Sequence, residues 1–377
     1  MATRMAATPP TLAGYSYVRP LGSGGFADVF LYEQDMPRRV AAVKVLLADA
    51  VNPEVLRTFN VEADISARLS AHPSIVTIYQ ASISADGRPY FAMEYCPDTM
   101  SARYKKAPLP LAEVLDVGVR IAGALETVHR AGLLHRDIKP SNVLINSLGA
   151  PVLADFGIAA AVIDEGDGET IAMSVPWSSP EVLQERVSGS VPSEIWSLGA
   201  TLYTLLAGRS PFEKADRGSN SRDQLTDRIV KARYTAVPVG GIPPIIDEIF
   251  ATAMHRDPAK RPASMADFAD RLRWAQYELG ISPTAFEAAS AEWAAAAPVS
   301  FSDSAVRGPV ITTVAPDSRR AVRAARPQAS PRERDDLPAT PRSRGRSPLY
   351  AGIIGAVIGA AALAGVGTLV LFLTGIL

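Results

Sequence analysis

The feature that most constrains this chain is the polar stretch His135-Arg136-Asp137-Ile138-Lys139-Pro140-Ser141-Asn142, which lies between two apolar segments. Gly132-Leu133-Leu134 precedes the stretch, and Val143-Leu144-Ile145 follows it. Apolar segments on both sides predict two short buried strands joined by a polar loop. A carboxylate, an ammonium and an amide on so short a loop converge on one small volume. Such a volume suits a site that holds a hydroxyl, a phosphate and a metal, although an ordinary solvated turn is the simpler alternative.

The composition is that of a globular chain. Its 377 residues can form one large domain or two with tails, and 47% of them are hydrophobic. Cys96 is the only cysteine, so no disulfide can form within the chain, which is consistent with a reducing compartment. Residues 1–10 lack the apolar core of a signal peptide, and we expect residues 1–14 to be disordered. Nothing in the charge pattern predicts a nucleic-acid partner.

The first part of the chain predicts a sheet with one helix. Tyr15 to Leu31 alternates apolar residues around a glycine cluster, which predicts strand, turn and strand. Val40 to Leu47 predicts another strand, with Lys44 on an apolar face. Asn52-Pro53-Glu54 predicts the start of a helix on which Glu62 faces inward. Lys44 and Glu62 are therefore expected to pair, because an unpaired buried charge costs several kcal/mol. A purely structural ion pair is the alternative.

The second part of the chain is predominantly helical. Ser74 to Tyr95 supplies two more strand candidates, and the chain is expected to cross to a second lobe near Glu94 to Pro97. The fold class is therefore α+β, with a small β-rich lobe over 15–95 and a larger helical lobe over 96–279. Helical spacing of apolar residues marks four segments: Leu111 to Arg130, Ser193 to Gly208, Ile245 to Ala253 and Met265 to Leu279.

The glycine cluster suggests a phosphate-binding turn. Gly22 and Gly24 lack a Cβ, so their backbone N–H groups can approach a phosphate chain closely, although most glycine turns are only turns. A third glycine would complete a dinucleotide-binding pattern. Ala27 stands at that position, and the turn is followed by a predicted strand rather than a helix, which argues against that class.

Together these motifs resemble the signature of the protein kinases, and specifically the bacterial eukaryotic-type (Hanks-type) serine/threonine kinases. The resemblance covers Tyr15 to Leu279 and follows the family's order. Its elements are the glycine cluster, Ala42-Val43-Lys44, Glu62, His135-Arg136-Asp137-x-Lys139-x-x-Asn142, Asp155-Phe156-Gly157, Ser179-Pro180-Glu181 and Arg261.

The resemblance implies the two-lobed kinase fold and transfer of the γ-phosphate of ATP to serine and threonine hydroxyls of proteins. Asp137 would accept or orient the proton of the attacking hydroxyl, and Lys139 would neutralise the transferring phosphate. Asn142 and Asp155 would bind Mg²⁺, for which Mn²⁺ could substitute. His135 is expected to be a packed core residue with no acid-base role.

The resemblance also implies the nucleotide-binding residues. Lys44 would hold the α- and β-phosphates and be oriented by Glu62. Met93 would lie at the back of the adenine pocket, and the backbone of Glu94 to Cys96 would offer hydrogen bonds to adenine. The implied ATP-binding set is Leu21, Gly22, Ser23, Gly24, Gly25, Phe26, Val29, Ala42, Lys44, Glu62, Met93, Glu94 and Cys96.

Arg136 beside Asp137 is typical of family members that are switched by phosphorylation of the segment between Asp155 and Glu181. We favour Thr170 as the regulatory phosphorylation site and assign Ser174 to the substrate-contacting region.

Three residues depart from the family pattern. Ala27 replaces the last glycine and Ser179 replaces an alanine. Glu194 replaces the aspartate that anchors the catalytic loop, and its extra methylene could loosen that anchor. None of the three removes a reacting group.

The C-terminal part predicts a membrane anchor. Residues 280–348 are predicted to form a linker. Residues 285–300 are alanine-rich and could add a further helix, whereas residues 301–348 are proline-, arginine- and serine-rich with no apolar period, which predicts disorder. Residues 349–375 lack charged side chains, and a spanning helix needs about 20 apolar residues. Arg342, Arg344 and Arg346 precede this segment. They predict a single-pass protein of the cell membrane, in contact with lipid, whose kinase domain is cytoplasmic and which has few residues outside.

Two alternatives to an active protein kinase remain at this point: a pseudokinase scaffold that binds nucleotide or partners, and a small-molecule kinase of the same fold. Lys44, Asp137, Asn142 and Asp155 together argue against the scaffold. A homodimer is also conceivable, either through the kinase domain or through the small residues Gly355 and Gly359 of the predicted span.

Overall fold

The structure, a computed structural model, describes residues 7–25, 27–155 and 174–289, except for the side chains of Ala50, Glu54, Thr58, Glu62 and Arg217. The strands are β1 (Tyr15–Ser23), β2 (Ala27–Gln34), β3 (Arg39–Leu46), β4 (Ile78–Ile83), β5 (Pro89–Glu94), β6 (Asp98–Thr99), β7 (Val143–Ile145) and β8 (Pro151–Leu153). The α-helices are α1 (Pro53–Leu69), α2 (Met100–Lys106), α3 (Leu111–Arg130), α4 (Pro180–Leu183), α5 (Val191–Ala207), α6 (Arg222–Lys231), α7 (Pro244–Ala253) and α8 (Met265–Glu278). A strand-rich part thus precedes a helical part, as the sequence predicted.

The small lobe is an antiparallel sheet of five strands in the order β1-β2-β3-β5-β4. Helix α1 packs on one face, where the rings of Phe59 and Phe91 lie 4.4 Å apart. The helix starts as predicted, since the side-chain oxygen of Asn52 accepts a hydrogen bond from the N–H of Val55 at 2.8 Å and Pro53 occupies the first turn.

Residues 7–14 pack on the other face of this sheet, whereas the sequence predicted disorder for 1–14. Leu12 belongs to the apolar cluster of that face. The Tyr32 hydroxyl donates to the carbonyl of Pro10 at 2.6 Å, and Arg88 donates to the carbonyl of Thr8 at 2.9 Å. These contacts use backbone carbonyls, which explains why residue composition gave no sign of them.

The large lobe is built around two long, nearly fully buried helices, α3 and α5. Helix α5 begins at a capping box formed by Ser190 and Ser193, with Pro192 in its first turn. It ends at Gly208, whose φ of 74° is a left-handed conformation that glycine adopts without strain. Local sequence signals therefore fix both ends of the helix that supports the catalytic loop.

The polar stretch that opened the sequence analysis connects α3 to β7. Strand β7 pairs with β6 on one side and β8 on the other. The prediction of a strand over Gly132-Leu133-Leu134 is wrong, because this segment has no pairing partner and only Val143–Ile145 forms a strand. The loop is therefore held between a helix and a three-stranded sheet.

Residues 281–289 follow α8 and pack against the large lobe, although the sequence assigned 280–348 to a linker. The carbonyl of Ala289 accepts a hydrogen bond from Arg130 of α3 at 3.0 Å. No helix in the described part of the chain is both long enough and apolar enough to cross a membrane. The predicted span over 349–375 and the linker from residue 290 onward lie outside the described residues.

Candidate active site

Three side chains of the polar loop form one cluster, as the sequence predicted. The Asn142 side-chain nitrogen donates to the Asp137 carbonyl at 2.8 Å and to its carboxylate Oδ2 at 2.9 Å. The Lys139 Nζ atom lies 2.6 Å from the same Oδ2. The loop returns on itself between Asp137 and Asn142, which places an acid, an amine and an amide within direct contact.

Ser174 completes this cluster from a distant part of the chain. Its hydroxyl donates to Asp137 Oδ1 at 2.8 Å and accepts a hydrogen bond from Lys139 Nζ at 2.9 Å. A serine hydroxyl therefore lies against the carboxylate that would receive a substrate proton. Sequence reasoning placed Ser174 in the substrate-contacting region but did not predict this direct contact with both catalytic groups.

His135 is buried and holds the loop by both ring nitrogens. Its Nδ1 accepts from the backbone N–H of Asp137 at 3.3 Å, so the ring proton is on Nε2, which donates to the carbonyl of Ala154 at 3.0 Å. Burial lowers the pKa of His135, which favours this neutral form. The expectation of a packed histidine is confirmed.

Glu194 of α5 anchors the polar loop from the neighbouring helix, and both of its carboxylate oxygens take part in contacts. Its Oε1 accepts the backbone N–H of Arg136 at 2.6 Å, and its Oε2 lies 2.6 Å from Nε2 of His129. Arg136 has a φ of 66°, an uncommon conformation for a residue with a side chain. The sequence suggested that a glutamate here could loosen the anchor; both carboxylate oxygens instead make short contacts.

Lys44 and Asp155 meet in the cleft between the lobes, at 2.7 Å from Nζ to Oδ1. Lys44 comes from β3, and Asp155 follows β8 with a φ of 59°. The Lys44 ammonium holds the pKa of the Asp155 carboxyl below its ordinary value. The predicted partner Glu62 lies in α1, but its side chain is outside the described residues.

The pairing of β7 with β8 brings Asn142 and Asp155 to the same end of this sheet. Val143 lies opposite Leu153, and the N–H of Ala154 donates to the carbonyl of Asn142 at 2.9 Å. The two predicted metal ligands therefore follow from one short strand pair, and both belong to the cleft that holds Asp137.

An apolar wall forms beside these charged groups. It unites five of the predicted nucleotide-binding residues: Leu21, Val29, Ala42, Met93 and Cys96. The same cluster contains Tyr95, which lies in the predicted adenine-contacting segment Glu94 to Cys96. It also contains residues that the sequence analysis did not assign to the site: Val76, Ile78, Leu144, Val152 and Ala154. The available signal for Leu144, Val152 and Ala154 was that each lies within three residues of Asn142 or Asp155. The wall is of the apolar type that an adenine ring requires.

The glycine turn connects the end of β1 to the start of β2. Gly22 pairs with Val29 and Ser23 with Asp28, and the N–H of Gly24 donates to the carbonyl of Ala27 at 2.8 Å. A Cβ on Gly22 or Gly25 would contact nothing within 4 Å, so both backbones face open space. The predicted residue Phe26 is outside the described residues.

A pocket of roughly 380 Å³ is lined in part by this apolar wall, through Val76, Ile78, Met93 and Ala154. Its lining includes Lys44, Asp155 and Met93 together with Ser66 of α1. The pocket thus links the charged pair to the helix that carries Glu62.

Glu181 and Arg261, two further motif residues, form a buried bidentate ion pair. The guanidinium nitrogens of Arg261 lie 2.6 Å and 2.9 Å from the two carboxylate oxygens. Arg261 also donates to the carbonyl of Pro192 at the start of α5 at 2.9 Å. Burial opposes ionisation of Glu181, but the guanidinium lowers the pKa of its carboxyl below the ordinary value.

The residues present fit MgATP. The amide nitrogen of Asn142 is used by Asp137, so the side chain can offer a cation only its oxygen. Asp155 supplies a carboxylate whose side chain is 46% exposed. Two oxygen ligands suit Mg²⁺, which usually keeps waters and substrate phosphates as its other ligands.

The described residues form a two-lobed domain with a cleft whose side chains suit phosphotransfer. Comparisons with known proteins agree: a family model described as "Protein kinase domain" matches residues 15–272. The chain belongs to the protein kinase family, and its catalytic domain is that of a serine/threonine protein kinase.

Several mycobacterial proteins are similar to this chain. Serine/threonine-protein kinase PknK of Mycobacterium bovis is 38% identical over 279 residues, covering 72% of this chain and 24% of that protein. Serine/threonine-protein kinase PknF of Mycobacterium tuberculosis is 34% identical, and the match covers 70% of this chain and 56% of PknF. Serine/threonine-protein kinase PknB of Mycobacterium leprae is 33% identical, and the match covers 71% of this chain and 44% of PknB. This chain thus spans between about a quarter and just over half of the relatives it matches. The predicted resemblance to bacterial eukaryotic-type serine/threonine kinases is confirmed.

Proposed function

We propose that this chain transfers the γ-phosphate of ATP to serine and threonine hydroxyls of proteins, including its own. The main support for this proposal is the position of the Ser174 hydroxyl, which is hydrogen-bonded to both Asp137 and Lys139. It shows that an aliphatic hydroxyl can bind 2.8 Å from the Asp137 carboxylate, which is within the range that proton transfer requires.

The chain's own residues perform six tasks in this proposal. Asp137 orients the acceptor hydroxyl and takes its proton, and Lys139 offsets negative charge beside it. Lys44 holds the phosphates of the nucleotide, while the apolar wall around Met93 and Ala42 excludes water from the adenine ring. Asn142 and Asp155 would hold Mg²⁺ (or Mn²⁺), and the bound metal would neutralise phosphate charge. Glu194 keeps the loop in a conformation that aims Asp137 into the cleft.

Labelled ATP tests this activity. We expect the full chain to incorporate phosphate into itself and into a general protein acceptor with Mg²⁺, and phosphoamino-acid analysis to yield phosphoserine and phosphothreonine. The Asp137→Asn variant should incorporate none. A wild-type chain that binds MgATP without transferring phosphate would favour the pseudokinase scaffold. Transfer only to small metabolites would favour the small-molecule kinase.

We further propose that phosphorylation at Thr170 activates the domain by pairing with Arg136. The exposed side chain of Arg136 and its position beside Asp137 support this proposal, and Thr170 itself lies outside the described residues. Phosphosite mapping of active protein is expected to find Thr170 modified. Active protein with an unmodified Thr170 would contradict the proposal.

Membrane anchoring completes the proposed function. The uncharged residues 349–375 and the preceding Arg342, Arg344 and Arg346 support a single span with a cytoplasmic kinase domain. We expect the full chain to resist carbonate extraction from membranes, and the double variant Ile358→Arg, Val366→Arg to be released. Chemical crosslinking in the same membranes would report whether two copies pair, and recovery of monomer alone would exclude the homodimer.

A further inference from the structure

Residues 281–289, which we name the strap, lie beyond the kinase family match at 272 and beyond the end of α8. The strap contains no helix or strand, yet its contacts are specific. Thr284 is only 8% exposed. Its backbone N–H donates to Gln276 of α8 at 2.9 Å, and its hydroxyl donates to Asp116 of α3 at 2.9 Å. The strap is therefore attached to two helices of the large lobe.

The strap lies directly on the backbone of α3 at Gly123. A Cβ at Gly123 would come within 2.1 Å of the carbonyl oxygen of Glu287, a distance that no side chain can occupy. Two residues later, the N–H of Ala289 donates to the hydroxyl of Thr127 at 3.0 Å. A glycine inside a helix otherwise weakens that helix relative to alanine. Gly123 thus has a packing role, which is to admit the strap.

The same Glu287 carbonyl contacts the loop between α1 and β4. Nδ1 of His72 accepts the N–H of Ser74 at 3.0 Å, so the ring proton is on Nε2. That Nε2 lies 2.9 Å from the Glu287 oxygen and donates to it. His72 itself is 8% exposed, so the strap supplies the partner of a buried donor.

The loop in turn is hydrogen-bonded to β8, the strand that precedes the predicted metal ligand Asp155. The carbonyl of Ser74 accepts the N–H of Leu153 at 2.9 Å, and the N–H of Val76 donates to the carbonyl of Leu153 at 3.0 Å. Leu153 ends β8, two residues before Asp155. A series of hydrogen bonds therefore runs from the strap through His72 and Ser74 to Leu153, and two peptide units of backbone connect Leu153 to Asp155.

We propose that the strap is a positioning element of the catalytic domain, which holds the α1–β4 loop through His72 and thereby fixes Asp155 in the cleft. Without the Glu287 carbonyl, the Nε2–H group of His72 is buried and unpaired, and the loop must shift to satisfy it. Since β8 is bonded to that loop, the shift reaches Asp155. The inference rests on the proposed phosphotransfer only for its rate measurement.

The test uses Gly123→Ala in the full chain, with Gly240→Ala as a matched control whose added Cβ meets nothing within 4 Å. Hydrogen exchange is followed in peptides covering 281–289, 72–76 and 151–155, and kcat and KM for ATP are measured in parallel. For Gly123→Ala we expect exchange in all three peptides to accelerate and kcat/KM for ATP to fall about tenfold, since a buried donor loses its partner. The control should match the wild type.

Two outcomes would overturn the proposal. In one, the strap peptide exchanges faster while the other two peptides and the kinetics stay unchanged, which would make the strap a passive covering. In the other, the strap peptide itself is unaffected by Gly123→Ala. The exchange measurements need no catalysis, so failure of the proposed kinase activity would be distinguishable from failure of the strap.

A double-mutant cycle that combines Gly123→Ala with His72→Ala tests whether the strap acts on the active site through His72. If strap and loop act through one contact, the double variant Gly123→Ala, His72→Ala should be no slower than the slower single variant. Losses that multiply would overturn the proposed route. Should Gly123→Ala fail to fold, Thr284→Val releases the strap from its own side and leaves α3 intact, with the same expected exchange and kinetic changes.

Discussion

At the scale of single residues, the proposed chemistry depends on the side chains that contact the Asp137 carboxylate. Asn142, Lys139 and Ser174 all contact it within 3 Å. The first two were predictable, because they lie at fixed positions on the same loop. Ser174 was not predictable as a contact, since 37 residues separate it from Asp137 and only folding brings the two together.

Ser174→Ala should lower kcat about 10- to 100-fold, because hydrogen bonds to charged groups contribute roughly 1.5–3 kcal/mol. Ser174→Thr should retain most activity, since it keeps the hydroxyl. The matched control is Ser178→Ala, whose hydroxyl donates to the backbone carbonyl of Ser174. Equal rates for Ser174→Ala and wild type in steady-state assays would show that this hydroxyl does not orient Asp137.

Cys96 offers a second test at this scale. Burial, with a smaller contribution from the charge of Glu94, raises the pKa of the Cys96 thiol from 9.0 to about 12. The thiolate is the reactive form, so alkylation of the native chain at pH 8 should be at least about tenfold slower than alkylation of the guanidinium-unfolded chain. Since Cys96 is the only cysteine, mass spectrometry reads this rate directly. Equal rates in the two states would contradict the burial of Cys96 in the apolar wall.

At the scale of elements, the sequence was most informative where local signals decide the structure. Asn52-Pro53 starts α1 and Gly208 ends α5 because caps and left-handed positions are short-range requirements. Strand prediction failed at Gly132-Leu133-Leu134, because a strand needs a partner and apolar character alone does not provide one. The packing of 7–14 and 281–289 was missed for a related reason: their contacts are largely backbone hydrogen bonds to distant residues.

The Glu181–Arg261 pair connects α4 to the start of α5, and its loss should destabilise the large lobe. Arg261→Ala leaves a buried carboxylate unpaired, which typically costs about 3–5 kcal/mol. We expect a loss of that size in the free energy of unfolding measured with urea. The double variant Arg261→Met, Glu181→Leu should lose much less, because no charge stays buried. A single variant as stable as wild type would show that the pair contributes little.

At the scale of the whole molecule, two buried neutral histidines link stability to pH. Burial lowers the pKa of both His72 and His135 below the ordinary 6.5. The unfolded chain therefore binds more protons than the folded chain just below pH 6.5. Stability from these groups is fully present above that pH and is lost as the pH falls toward their folded pKa values.

The free energy of unfolding should accordingly decrease as the pH is lowered from 7.5 to 5.5. The carboxyls of Asp155 and Glu181 contribute little in this window, because their ordinary values of 3.8 and 4.5 lie below it. His72→Gln, which cannot take up a proton, should flatten part of the slope in denaturant titrations. A slope identical to that of wild type would mean that His72 is not held neutral in the folded chain.

The arrangement of the whole domain was predictable because seven motifs follow one another in a fixed order. That these motifs meet in one cleft was implied by the resemblance alone, because the spacing of motifs along the chain does not give distances in space. The structure supplies such a distance: Lys44 and Asp155 are 111 positions apart in the sequence, and their side chains lie 2.7 Å apart. That contact and the Asp137 cluster lie in one cleft, and this juxtaposition is the central claim.

Single-turnover transfer of phosphate by Asp137→Asn, with MgATP affinity measured on the same preparation, tests that claim most directly. We expect a transfer rate at least about a hundredfold below wild type, since general-base catalysis contributes on the order of 10²–10⁴-fold, and an unchanged Kd for MgATP. A variant that binds MgATP and transfers phosphate at close to the wild-type rate would show that Asp137 does not face the reacting hydroxyl.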